Sequence, residues 1–162
     1  MKKAILLFLL INTYAFSQVS YQYDSQYKDE DYCKFIDKIG DDFSDKINIM
    51  SPDLLGISFM QVVQKGKTNN YLSVSVPGYS YSSNEKGLYL KFSDGSFFKK
   101  PMATVDSEAS SNGYIYTSFI SLTKDDIQIL KTKEIIAKKV GTYQDKYSDG
   151  ILSSIYAKCI FK

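Results

Sequence analysis

Residues 71–76 alternate strictly, with Leu72, Val74 and Val76 set against Tyr71, Ser73 and Ser75. Successive side chains on a strand point to opposite faces, so this pattern demands a sheet with one buried face and one wet face. The signature recurs in GISFMQVVQKG, NNYLSVSVPG and KGLYLKFSDG, which are rich in β-branched and aromatic residues and bounded by Gly, Asn or Pro. Between Leu88, Leu90 and Phe92 on one side and Phe97 and Phe98 on the other, Asp94-Gly95 predicts a tight type I′ hairpin, both central residues tolerating positive φ. GYIYTSFISL is apolar on both faces through Ile115, Phe119, Ile120 and Leu122, as a central strand would be, and EIIAKKVGTY again has strand character.

The period changes in two places. Thr123 with Asp126 three positions on forms a capping-box start, and Ile127 with Leu130 gives a short helix over 123–131 one apolar stripe. Ile151, Ile155 and Cys159 at spacing four, with Leu152, Tyr156 and Ile160 beside them, predict a C-terminal helix over 150–161 with Cys159 facing inward. CKFIDKI and DKINIM around GDDFS suggest strand, turn, strand, although Phe35, Ile36, Ile39 and Phe43 also fit one helical face. The serine-rich YSYSSN and SEASSN are expected to be loops. The fold class is therefore α+β: a mainly antiparallel sheet assembly of the sandwich kind with two helices packed on it.

Residues 1–18, MKKAILLFLLINTYAFSQ, have a basic start, an apolar run and small or polar residues before Gln18, the layout of a secretory signal peptide. A membrane anchor needs about 20 apolar residues, and Asn12 and Thr13 interrupt this run. Export is expected, to the periplasm or beyond the cell, with no membrane span after cleavage. Residues 19–30 read as a flexible leader and 31–162 as a single β-rich domain. Without Lys2 and Lys3 the count is 18 Lys against 18 acidic residues, and the chain has no Arg. That balance argues against nucleic acid as partner, because phosphate binding wants clustered positive charge. Charge is uneven, however: residues 24–53 carry nine acidic residues and four Lys, and residues 54–162 nine acidic residues and 14 Lys. The two stretches could steer a charged partner, or lie against one another and cancel.

In an oxidising compartment an even pair of cysteines is a candidate disulfide, the alternative being buried thiols. Cys33 and Cys159 stand 126 positions apart, and closing such a loop is worth at most about 5 kcal/mol in the chain-entropy model. A redox-active thiol is disfavoured, since no Cys-x-x-Cys pair occurs and Cys159 would lie at a helix C-terminus, where the dipole opposes a thiolate.

With His absent, Ser-His-Asp and Cys-His catalysis and His-ligated zinc are excluded, and nothing in the sequence calls for a metal or a cofactor. Ser-x-x-Lys occurs at Ser83 with Lys86, Ser96 with Lys99 and Ser121 with Lys124, no more often than chance in a chain so rich in both residues. Asp125 and Asp126 read as a helix start, and Asp37, Asp41, Asp42 and Asp45 as an acidic turn without calcium-loop spacing. Tyrosine is the unusual component, with 14 in the chain. Tyr79, Tyr81 and Tyr89, around the loop PGYSYSSNEKGLY, are the candidate ligand-binding residues, because Tyr offers rigid amphipathic contact area, although it is also a good strand residue.

SPDLLGISFMQVVQKG, GLYLKFSDGSFFKKP and GYIYTSFISLTKDDIQIL, with Gln18 after Ser17 at the expected cleavage point, resemble small exported proteins of the Bacteroidota kind whose function is not established. The resemblance spans most of the chain after the signal and rests on ISF, F-x-DG and ISLTK-x-DI, which are hairpin and cap segments. It implies a Gram-negative envelope or extracellular location and carries no functional residue across. Export, absent catalytic chemistry and surface-capable tyrosines together point to a non-enzymatic binding or interaction module for a protein or carbohydrate. The alternatives are a small carboxylate-dependent polysaccharide hydrolase and an inhibitor of a co-exported enzyme.

Overall fold

Leu72, Val74 and Val76 are buried, as their alternation requires, and face Ile57, Phe59, Leu88, Leu90 and Phe92 in one core. The computed structural model describes residues 28–41 and 43–162; the expected signal peptide and residues 19–27 of the expected leader lie outside the described residues. In order the chain forms α1 (Asp29–Tyr32), a 3-10 turn (Cys33–Phe35), β1 (Asp37–Gly40), β2 (Lys46–Met50), β3 (Ile57–Gln64), β4 (Lys67–Gly78) and β5 (Lys86–Phe92). It continues with β6 (Phe97–Thr104), β7 (Asp106–Ser110), β8 (Gly113–Ser121), α2 (Lys124–Thr132), β9 (Ile135–Val140), β10 (Tyr143–Lys146) and α3 (Gly150–Ile160).

The strands make a six-stranded sheet, order β1-β2-β3-β4-β8-β7, and a four-stranded sheet, order β10-β9-β5-β6, antiparallel throughout. β9 and β10 of the small sheet meet β4 of the large one, and α3 takes the place beside them over β3, with α1 and α2 packed on it. α3 buries Leu152, Ile155, Tyr156, Ala157 and Ile160 around most of its circumference, which suits a helix enclosed in a core rather than laid on a surface. The Thr123 capping box forms, its hydroxyl accepting from the Asp126 N–H at 3.2 Å while Asp126 accepts from the Thr123 N–H at 2.9 Å.

Three local expectations are corrected. Cys33–Phe35 is a 3-10 turn, so the first strand starts only at Asp37. SEASSN is not all loop: β7 includes Ser107, Glu108, Ala109 and Ser110, pairing with β8 through its backbone while every side chain stays exposed. A short edge strand of this kind carries no apolar pattern, and its charges discourage further pairing. The turn at Asp94-Gly95 is not type I′, because only Gly95 has positive φ, at 83°. The Gly95 N–H donates to the Phe92 carbonyl at 3.0 Å and the Phe92 N–H to the Ser96 carbonyl at 3.0 Å, a type I turn closed by a left-handed glycine. Asp94 stays right-handed and accepts from the Ser96 N–H at 2.9 Å and from Lys133 at 2.7 Å. The two-residue loop with positive φ at both positions is instead Lys65-Gly66, at 48° and 74°, directly between the paired Gln64 and Lys67.

Cys33 and Cys159 are disulfide-bonded, their Cα atoms 5.4 Å apart, which ties the 3-10 turn to the last turn of α3. The bond is compatible with export, and among the described residues no helix is long and apolar enough to cross a membrane. One ion pair among the described residues, Lys158 with Asp29 at 3.3 Å, joins the acidic and basic stretches; the other two, Lys100 with Asp126 and Lys133 with Asp94, lie within the basic one. Among the described residues, direct pairing between the two stretches is thus limited to the contact of Lys158 with Asp29.

A lysine sits in the core. Lys138 on β9 is 3% exposed, and its ammonium donates to the Leu55 carbonyl and, at 2.7 Å, to the Ser75 carbonyl. It thus ties the small sheet to β4 and to the loop before β3. Burial pushes its pKa down, and Asp145 and Asp53 offset part of the shift.

Reducing the disulfide should lower unfolding free energy by about 2–5 kcal/mol; urea midpoints with and without reductant measure it, and coincident midpoints would contradict the stapling role. For Lys138, the native protein releases the proton below the ordinary value of 10.5, so between the two values the unfolded chain holds more protons and stability rises with pH. Lys138→Met removes that rise. In urea unfolding from neutral pH up to 10.5 the wild type should gain on the variant, whereas a constant gap would contradict the burial cost assigned to this ammonium.

Candidate functional site

Since Leu88, Leu90 and Phe92 point into the core, pleating sends Tyr89 and Lys91 to the outer face of the small sheet. Register then selects their neighbours. Tyr89 lies between Lys99 on β6 and Lys139 on β9, with Gln144 of β10 beyond Lys139. Lys91 lies between Phe97 and Ala137, with Lys146 beyond. The result is two rows across four strands, one Lys99, Tyr89, Lys139, Gln144, the other Phe97, Lys91, Ala137, Lys146. With strands about 4.8 Å apart, Lys99 and Lys139 flank Tyr89 at about 10 Å from one another, and Lys91 and Lys146 are spaced alike.

No ion pair among the described residues reaches Lys91, Lys99, Lys139 or Lys146. Two of them have aromatic company, the Lys99 ammonium 5.2 Å from the centre of the Phe97 ring and the Lys139 ammonium 6.0 Å from that of Tyr89. These residues line a shallow, open concavity of about 590 Å3 in which Asp145 is the one carboxylate. Like charges on neighbouring strands cost stability. A fold that gathers four ammonium groups on one face and does not pair them has an unsatisfied demand for anions there.

Gly87 shapes the centre of this face. Its φ is +101°, a backbone geometry that L side chains rarely adopt, and a ring carbon of Tyr89 lies 2.8 Å from where a β-carbon would stand. The hydroxyl end of the Tyr89 ring therefore lies against the glycine, and the Lys139 ammonium stands by the same ring. Phe97, at the end of the second row, is 53% exposed.

The three tyrosines singled out from sequence do not form one site. Tyr89 belongs to the sheet face, whereas Tyr79 and Tyr81 sit on the loop between β4 and β5, 92% and 63% exposed, with the Tyr81 ring 5.6 Å from Tyr114. That loop is held by two other tyrosines. The Tyr116 hydroxyl donates to the Ser80 carbonyl at 2.6 Å and accepts from the Ser82 N–H at 2.7 Å, and the Tyr143 hydroxyl donates to the same carbonyl at 2.7 Å. Their rings stack at 4.3 Å. Burial, followed by the hydrogen bond with Tyr143, raises the Tyr116 pKa and keeps its hydroxyl a donor.

Two of the carboxylates weighed from the sequence, Asp41 and Asp126, are engaged locally. Asp41 accepts from the Phe43 N–H at 2.9 Å and the Ser44 hydroxyl at 2.7 Å, bonds that lower its pKa and shape the acidic turn; Asp42 lies outside the described residues. Burial acts to raise the Asp126 pKa, but Lys100 at 2.8 Å and the Thr123 cap outweigh it, leaving the carboxyl below its ordinary value. Ser96 is engaged by Asp94 and Lys133 rather than by Lys99. Among the described residues, no group of three or more His, Cys, Asp or Glu is placed to hold a metal ion. No family model matches the chain, nor does any curated protein or solved structure.

As members of one face, the four lysines, Phe97 and Gln144 are not evident from the sequence, where Lys99 stands out only beside Ser96 and Phe97 only as a flank of the hairpin. A signal existed in KGLYLKF and IIAKKV, where each lysine's parity relative to the apolar residues can be read, but which strands are neighbours cannot. Replacing Gly87 with Ala should cost about 1–3 kcal/mol from backbone strain and displace the Tyr89 ring. Urea unfolding together with the Tyr89 ring-proton chemical shifts checks both; an unshifted ring would contradict the platform.

Proposed function

We propose that this protein is an exported, non-enzymatic binding module that holds a negatively charged partner on the outer face of its four-stranded sheet. The observation that carries the reading is the set of four lysines, Lys91, Lys99, Lys139 and Lys146, gathered across four strands around Tyr89 and Phe97 without an ion pair among the described residues. Export is supported by the layout of residues 1–18, and the disulfide is compatible with it. The non-enzymatic part is supported by chemistry: the chain has no His, and Asp126 and Asp41 serve as a helix cap and a turn former. The face is open and shallow, which fits holding a partner rather than enclosing a substrate away from water.

Ammonium groups at a wet surface attract an anion most at low ionic strength. Retention on dextran sulfate beads, followed across a salt series, should therefore be strong at low salt and lost as salt rises. The variant Lys91→Gln, Lys99→Gln, Lys139→Gln, Lys146→Gln should bind roughly tenfold more weakly or worse, while Tyr79→Ala with Tyr81→Ala should bind as the wild type does. Equal retention of the wild type and the lysine variant would overturn the assignment of the face.

A further inference from the structure

Resting on that reading, we infer that the partner is an acidic polysaccharide, a chain of uronate-type sugars lying across the strands along the row Lys99, Tyr89, Lys139 and Gln144. The order of side chains along this row is cation, ring, cation, amide. With two inter-strand steps between them, the backbones at Lys99 and Lys139 stand about 10 Å apart, which leaves room between the two cations for sugar rings of a chain that carries a carboxylate on each unit. The second row, offset by two residues along the strands, repeats the theme with Phe97, Lys91 and Lys146.

Each group has a use against a sugar acid. The half-buried Tyr89 ring, its hydroxyl end against Gly87 and the Lys139 ammonium beside it, offers apolar surface for the C–H face of a pyranose next to a cation for its carboxylate. The lysines are compact point charges with three rotatable donors each, suited to a single carboxylate with a neighbouring hydroxyl. Gln144 supplies both a donor and an acceptor for hydroxyl groups. The concavity is shallow and open, so an extended chain can enter and leave it, whereas a small ligand would find little enclosure.

Single-stranded nucleic acid could also stack on Tyr89 and pair with the lysines. It is disfavoured because the chain has no Arg for forked phosphate or base recognition.

The experiment is calorimetric titration of the disulfide-bonded protein, without residues 1–18, with oligogalacturonate, its methyl ester, a single-stranded DNA oligonucleotide and vesicles containing anionic phospholipid. Oligogalacturonate should bind, the uncharged ester should not, and DNA and vesicles should bind at least tenfold more weakly. Tyr89→Ala should weaken the glycan by roughly tenfold, and Tyr89→Phe, which keeps the ring, should restore most of it, showing that the loss is of the platform and not of the fold. DNA or vesicles matching the glycan, full affinity in Tyr89→Ala, or binding of dextran sulfate without oligogalacturonate would overturn the glycan assignment and leave the anion-binding reading standing. Absence of binding to every one of these anions, dextran sulfate included, would overturn both.

Discussion

Pleating of β9 puts Lys138 and Lys139, neighbours in sequence, on opposite faces of one strand, and the molecule is organised by how each ammonium is satisfied. Lys138 turns inward, where water cannot serve it, and the structure supplies the Ser75 and Leu55 carbonyls from the facing sheet and the loop beside it. Lys139 turns outward, where pairing order surrounds it with Tyr89 and Gln144. Slipping β9 by one residue would exchange the two, stranding an unsupported charge in the core and emptying the outer face. Register, inter-sheet contact and the character of the candidate site are thus set together at one pair of residues.

α3 completes the enclosure. Four strands cannot cover six, and the uncovered inner face of β3 is met by the helix rather than by a further strand. Enclosed in this way, α3 is apolar around most of its circumference, and its end is held by Lys131 of α2, which donates to the Phe161 carbonyl at 2.9 Å, and by the Phe161 ring set edge-on to Phe59 of β3. The disulfide from Cys159 to Cys33 makes that connection covalent across a separation of 126 residues. A small domain that gathers four lysines on one sheet face, without an ion pair to them among the described residues, has reason to hold its ends together by a bond that does not depend on charge.

Legibility in the sequence followed the range of the interaction that decides each feature. Period-two alternation revealed β3, β4 and β5, an apolar β-rich run revealed β8, and the capping box and apolar stripes revealed α2 and α3, because those signals lie within a few residues of one another. β7 and the 3-10 turn at Cys33 were not legible, since backbone pairing to β8 and a covalent bond to α3 hold them and neither leaves a local pattern. At Asp94-Gly95 the hairpin was legible but its turn type was not: bonds from Ser96 and the distant Lys133 keep Asp94 right-handed. The candidate site is the extreme case. Its lysines come from four strands spread over residues 91–146, and only the order β10-β9-β5-β6 makes them neighbours. Tyr89 was singled out for its place near a loop, yet it matters as the middle of a sheet face.

Where an anionic chain touches this protein decides the account. An amide-resolved NMR titration of the wild-type protein with a short acidic oligosaccharide maps that contact residue by residue. The largest shifts are expected along Tyr89, Lys91, Phe97, Lys99, Lys139, Gln144 and Lys146. Shifts confined to the loop carrying Tyr79 and Tyr81, or to the acidic turn at Asp41, would contradict it.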